Sequence, residues 1–323
     1  MAEHISFHFE GALADSHRMN FYESARFQYA AARLMVKLAQ FRRYGKFVKN
    51  ITNASNIDIQ LATHSDGSFN INVEDTTATS ASEYFVDMSL ADLLAYISER
   101  LIEKIDESTL SVINDSSGDS QLPGRGATAA LDRMVKEAIA NGSAPESLSS
   151  AVQALIKRRV AENYREGRMA DNETQISRID FARSQKLIAM SAPLISEMAV
   201  ALRNSADTLE INALRDGRAR SVLFLDRRMA QDIETATVDN EITPLLGDIA
   251  QFNKDNGWGK LKIENGAKIL SFNIPYDILQ TIKQKLIDNM KKDLVHLQTY
   301  FVRDRGGDVV RLIVVGILPT PTI

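Results

Sequence analysis

The chain has 323 residues, of which 44% are hydrophobic and 25% are charged, and its net charge is −4. This length exceeds what one hydrophobic core usually holds, so we expect two domains, and no apolar run is long enough to span a bilayer. The absence of cysteine excludes disulfides, thiolate metal sites and thiol nucleophiles.

The N-terminal part of the sequence predicts the order β-α-β-β. Residues 4–9 alternate polar and apolar side chains, and the apolar residues that follow, from Phe27 to Phe41, have helical spacing. Two further alternating runs, 57–61 and 69–73, flank an Asp-Gly pair that is typical of a hairpin. The opening has no basic segment followed by an apolar one, so we expect no secretory signal and a cytoplasmic location.

The middle of the sequence is predicted to be helical. Ser89 is expected to cap a helix over 90–105, and helical periodicity recurs at 127–140, 147–163 and 174–204, with Pro193 kinking or splitting the last helix. The small polar residues and glycines of 114–126 predict a flexible loop. A second hairpin, 209–214 with 221–225, ends a predicted α+β body over residues 1–239.

The remaining residues, 240–323, predict a small five-stranded OB-like β-barrel. Strands are expected at 246–252, 260–263, 269–274, 294–303 and 309–318, with a helix at 276–291. A helix between the third and fourth strands is the OB order, while a generic meander packed on a helix is the alternative. The predicted fold class is therefore mixed α+β, with a β-α-β-β and helical body followed by this barrel.

The first hairpin of the predicted barrel resembles that of cold-shock domains. Gly247, the Phe252-Asn253 pair and Gly257-Trp258-Gly259 fall in the register of that family over about fifteen residues. The resemblance implies aromatic side chains that stack on bases and lysines that contact phosphate. The family's first-strand Trp is Gln251 here, which thins the platform. The residues that we expect to contact single-stranded nucleic acid are Trp258, Phe272, Lys254, Lys260 and Lys262. The alternative is that Phe252 is barrel core and the glycines serve only the turn.

The opening also resembles uncharacterised bacterial proteins. Phe9-Glu10-Gly11, followed by residues 21–26, carries this resemblance together with the barrel-like end. It implies a two-part bacterial family associated with mobile or defence-related gene clusters. It implies no chemistry.

The sequence contains no recognisable catalytic motif: a nucleophile elbow, a Walker loop, a dinucleotide fingerprint and a zincin helix are all missing. His4 and His8 would share a strand face but lie about 13 Å apart, too far to bind one metal ion. If the first helix packs on the opening sheet, carboxylates converge as in a metal-dependent nuclease or phosphodiesterase; these are Glu10, Glu23, Asp58 and Glu74. We assign no catalytic residue, no cofactor and no metal.

Two further patterns point to partners. Tyr22, Tyr29, Met35 and Val36 lie off the main apolar face of the first helix, which predicts a second surface for another domain or another copy. The basic run 157–159 is interpreted as a solvated helix end, with phosphate contact as the alternative.

Our hypothesis is a non-enzymatic, oligomeric interaction protein of bacterial phage defence whose OB-like end binds single-stranded nucleic acid or a protein. The alternatives are the metal-dependent enzyme and a purely structural oligomeric subunit.

Overall fold

The N-terminal body is built on an antiparallel sheet of five strands. The computed structural model describes residues 3–57, 59–62, 70–75, 84–105, 124–141, 147–215, 217–263, 266–292, 294–304 and 306–319. The strands of this sheet stand in the order β2-β3-β1-β4-β5. Their bounds are β1 Glu3–Glu10, β2 Ile59–Ala62, β3 Asn70–Asp75, β4 Thr208–Arg215 and β5 Arg218–Asp226.

Seven helices lie in the described part of the body. They are α1 Phe21–Tyr44, α2 Leu90–Leu101, α3 Gly124–Asn141, α4 Ser150–Asp171, α5 Glu173–Ile176, α6 Phe181–Ala199 and α7 Arg227–Thr235, with short 3-10 turns at Ala14–Ser16 and Val200–Leu202. Polar and apolar side chains alternate along β1, so Phe7 and Phe9 point to the same face of the sheet. There their rings pack on the ring of Phe27 in α1, at centroid distances of 5.3 and 4.8 Å, which joins the helix to the sheet.

Some local predictions for the body are corrected. Helix α6 continues through Pro193, and the break falls earlier, at 177–180, where the Asp180 side chain caps α6 by accepting from the Arg183 amide at 2.9 Å. The helix predicted over 90–105 ends at Leu101. Residues 114–123 of the predicted loop lie outside the described residues, and 124–126 already belong to α3.

The C-terminal part is a closed five-stranded barrel, as predicted. Its strands are β7 Thr243–Phe252, β8 Trp258–Ile263, β9 Lys268–Asn273, β10 Val295–Arg303 and β11 Val309–Ile317, with α8 Tyr276–Asn289 between β9 and β10. The pairing runs β7-β8-β9-β11-β10 and back to β7, and β9 with β11 is the parallel pair. This is the OB arrangement, so the predicted α+β fold class with an OB-like barrel is confirmed.

The barrel has its own core, and it also touches the body. Leu261, Phe272, Leu286 and Leu312 are among the fully buried side chains that fill it. A short strand, β6 Thr237–Val238, comes before the predicted boundary near 240 and pairs with β10. The division into 1–239 and 240–323 stays a prediction. None of the helices in the described ranges is long and apolar enough to cross a membrane.

Candidate functional site

The residues predicted to bind nucleic acid separate into two buried rings and three surface lysines. Trp258 is 3% exposed, and Phe272 is 0% exposed and packs on Phe252 inside the barrel. Lys254 and Lys260 are exposed, and Lys262 is half-buried. Neither ring presents a face to solvent, so the expected stacking platform is not at the surface. Phosphate contact by the lysines stays a prediction.

The burial of Trp258 differs in kind from that of Phe272. Along β8, Leu261 and Ile263 point into the barrel core, so Trp258, Lys260 and Lys262 point outward. The same outer face continues onto the two neighbouring strands. Lys260 is opposite Ser271 of β9, and Ser271 is opposite Arg311 of β11, so these side chains also point outward. This outer face of the second and third strands is the one on which OB folds bind oligonucleotides.

In this chain the body covers that outer face. The segment 101–105, which follows α2, supplies three hydrogen-bond acceptors to the barrel. Ile105 O accepts from Asn256 Nδ2 at 3.0 Å, and Leu101 O accepts from Arg311 Nη2 at 2.6 Å. Glu103 Oε1 accepts from the Ser271 hydroxyl at 3.3 Å. Trp258 is therefore buried between the two parts of the molecule.

Buried charges extend this interface toward α8. Arg100 of α2 donates to Asp277 Oδ2 at 2.5 Å, and Glu99 Oε1 accepts from the Tyr276 amide at 3.2 Å. Glu99 also binds Lys104, at 2.5 Å, so the α2 end holds charges of both signs. Removal of charged groups from water is costly unless they are paired, so these contacts fix the barrel against the body.

Glu166 of α4 adds a titratable group to the same buried cluster. Its carboxylate lies 3.9 Å from Lys104 Nζ and is 17% exposed. Burial raises the pKa of Glu166 to about 7, while the charge of Lys104 opposes the rise. Proton uptake near neutral pH is therefore built into the region that joins α2, α4 and the barrel.

A pocket of about 230 Å³ opens beside this interface, between α2, α4, α7 and β11. We call it the seam pocket. Three arginines line it: Arg158 of α4, Arg228 of α7 and Arg311 of β11. Backbone carbonyls hold two of them in place, since Arg158 Nη2 donates to Glu103 O at 2.5 Å and Arg311 Nη2 to Leu101 O.

Two of these arginines have a buried nitrogen that no hydrogen bond within the described part of the chain satisfies. Arg311 Nη1 and Arg158 Nε are buried without a hydrogen-bond partner among the described residues, and burial lowers the pKa of Arg311. Arg228 is exposed at the pocket edge. Asp232 also lines the pocket, and burial raises its pKa against the opposing charge of the arginines. With Lys104, the lining carries four cationic side chains against three carboxylates, since Glu103 and Asp226 line the pocket as well, so positive charge is in slight excess.

The alternative carboxylate site does not assemble in the described residues. Glu10 accepts from Lys157 and lies 3.0 Å from His8 Nε2; the hydrogen bond from His8 lowers the pKa of Glu10 to about 2. Glu23 accepts from Ser205 and Asn204, Glu74 lies 3.8 Å from His4, and Asp58 is outside the described residues. Among the described residues, no group of three or more His, Asp or Glu side chains could hold a metal ion.

Of the three pocket arginines, the sequence indicates only Arg158 as a possible phosphate contact. Arg158 belongs to the basic run 157–159, whose alternative interpretation is phosphate contact. Its neighbours are engaged internally, because Lys157 binds Glu10 and Arg159 binds Glu162. Arg228 and Arg311 lie far apart along the chain, and only the docking of the barrel brings them together.

No protein-family model, no curated protein and no solved structure matches the chain.

Proposed function

We propose that the chain is a non-enzymatic binding protein that holds a phosphate of single-stranded nucleic acid in the seam pocket. The observation that carries the proposal is Arg311: it stands on the outer face of an OB-like barrel, is fixed by Leu101 O, and keeps a buried donor without a partner. A guanidinium group matches the oxygens of a phosphate, and two fixed guanidinium groups need little rearrangement to bind one.

The size of the pocket is sufficient for a phosphate group. At about 30 Å³ per water molecule, 230 Å³ holds roughly eight waters, which is room for a phosphate. The aromatic side chains of the barrel speak against base recognition. The burial of Trp258 and Phe272 agrees with this, because base stacking needs exposed rings. Binding through the backbone alone predicts little sequence preference and a strong dependence on salt.

We also propose a cytoplasmic location and a role in bacterial phage defence. The defence role is suggested by the resemblance of residues 9–11 and 21–26, together with the barrel-like end, to uncharacterised bacterial proteins.

The test is fluorescence anisotropy of labelled single-stranded DNA and RNA at low salt with two variants of α7. Arg228→Ala removes a pocket arginine. Arg227→Ala removes the preceding arginine, which pairs with Asp207 and does not line the pocket. We expect Arg228→Ala to weaken binding and to reduce the slope of log K against log salt by about 0.7, while Arg227→Ala leaves both nearly unchanged.

Three results would contradict the proposal. Absence of binding at low salt would favour a protein partner, and equal losses in the two variants would mean that general charge, not the pocket, drives binding. Cleavage of the oligonucleotide with Mg²⁺, abolished by EDTA, would favour the metal-dependent enzyme.

A further inference from the structure

The first turns of α1 carry an exposed aromatic surface. Phe21 is 89% exposed, Tyr22 67% and Tyr29 64%, and the two alanines between and beyond them, Ala25 and Ala32, are exposed as well. We call these five residues the α1 stripe. Large apolar side chains that lie together on a surface commonly mark an interaction site.

The extent of the stripe is set by the segment that follows α1. Lys37 Nζ donates to Val48 O at 2.5 Å, and Gln40 donates to Ser55 O, so residues 46–57 cover the second half of the helix. Met35 and Val36, expected at a partner surface together with Tyr22 and Tyr29, are buried there. The uncovered part of the outer face runs from residue 21 to residue 33.

The tyrosine rings are held in place before any partner binds. The Arg26 guanidinium lies 5.6 Å from the centre of the Tyr22 ring, and Arg26 Nε donates to Glu197 at 2.6 Å. Arg33 lies in the same way 5.3 Å from the Tyr29 ring. Cation–π contacts of this kind restrict the rings, which lowers the entropy cost of docking.

The stripe is complementary to itself. Tyr22, Ala25, Tyr29 and Ala32 are spaced by three, four and three residues, which is the a–d spacing of a coiled-coil seam. If a second α1 lies antiparallel with the two-fold axis at the level of Phe27, Tyr22 faces Ala32 of the second copy and Ala25 faces Tyr29. Phe21 then faces Arg33. Each ring meets a small side chain or a cation, and the whole uncovered stretch is used.

From this register we propose that α1 is the contact surface of a symmetric homodimer. A two-fold interface must be self-complementary, which this stretch is. At about 200 Å² per aromatic side chain, the exposed fractions of the three rings offer about 440 Å² per copy and about 900 Å² per pair. With Ala25, Gln28 and Ala32 added, the buried area approaches the roughly 1,200 Å² at which specific interfaces begin.

The first experiment measures mass by light scattering and sedimentation equilibrium over a range of chain concentrations. The wild type should be a dimer, and Ala25→Glu should raise its dissociation constant about a hundredfold or more, because each copy then buries an unpaired carboxylate against Tyr29 of the other. Ala129→Glu, on the exposed face of α3, is the matched control and should leave dimerisation unchanged. A wild type that is monomeric throughout, or equal effects of both substitutions, overturns the proposal.

The second experiment tests the register. Because the chain has no cysteine, Tyr22→Cys combined with Ala32→Cys provides the only thiols. The two positions are ten residues, or about 15 Å, apart along one helix, so they cannot join within a chain. Mild oxidation should give a covalent dimer with the double variant and not with Ala32→Cys alone. Cross-linking of Tyr22→Cys alone would instead indicate parallel helices and contradict the register.

Discussion

The replacement of Glu166 by glutamine should stabilise the protein at alkaline pH and not at acidic pH. The folded protein holds the Glu166 proton more tightly than the unfolded chain does, since burial raises its pKa from 4.5 to about 7. The stability that this proton contributes is complete below about pH 4.5 and is lost as the pH rises through about 7. The difference between the two pKa values corresponds to about 3 kcal/mol.

Glu166→Gln keeps a neutral side chain at every pH, while Lys104 retains its contact with Glu99. We therefore expect the free energy of unfolding of the variant, relative to wild type, to rise by about 3 kcal/mol between pH 5 and pH 8.5. Urea denaturation followed by far-UV circular dichroism and by the emission of Trp258, the only tryptophan, measures it. The control is Glu137→Gln on the exposed face of α3. A difference that is the same at both pH values would refute the reasoning.

Three further substitutions test the packing by the same denaturation assay. Asp75 pairs with Arg42 at 2.5 Å, and both side chains are almost fully buried. Asp75→Asn removes the main counter-charge of Arg42, so we expect the free energy of unfolding to fall by about 3 kcal/mol. A fall of less than about 1 kcal/mol would contradict this. Gly259→Ala places a Cβ 2.3 Å from the Phe272 ring and should lower the free energy of unfolding by about 1–3 kcal/mol. Gly167→Ala in α4 meets nothing within 4 Å and should raise it by about 0.5–1 kcal/mol. The opposite order would show that the barrel relaxes around the new methyl group.

The barrel could be predicted from the sequence because its signals are local. Alternation along each strand separates core residues such as Leu261 from outward residues such as Lys260, and glycines mark the tight turns; Gly257, for example, has φ = 79°. The helix between the third and fourth strands then selects the OB order. Each of these signals involves neighbours in sequence, so no knowledge of the body is needed.

The burial of Trp258 and the positions of the pocket arginines could not be predicted in the same way, because they depend on contacts between distant parts of the chain. The resemblance to cold-shock domains implies a Trp258 ring that is free to stack on bases, but the ring is buried where residues 101–105, more than 150 positions earlier in the chain, dock on the barrel. The same docking brings Arg311 to Arg158 and Arg228, which the fold of the body already places together. Periodicity likewise put Tyr22, Tyr29, Met35 and Val36 off the apolar face of α1, yet only residues 46–57 decide which of them stay exposed.

The docking also determines how this barrel can meet nucleic acid. A nucleic-acid strand that binds across the outer face, as in other OB folds, would have to displace residues 101–105 and break their hydrogen bonds with Arg311 and Asn256. The adjoining Arg100–Asp277 pair would separate as well. The seam pocket opens beside this interface and needs no such release. A dominant effect of Arg228, at the exposed edge of the pocket, is therefore the result that separates binding at the seam from binding across the barrel face.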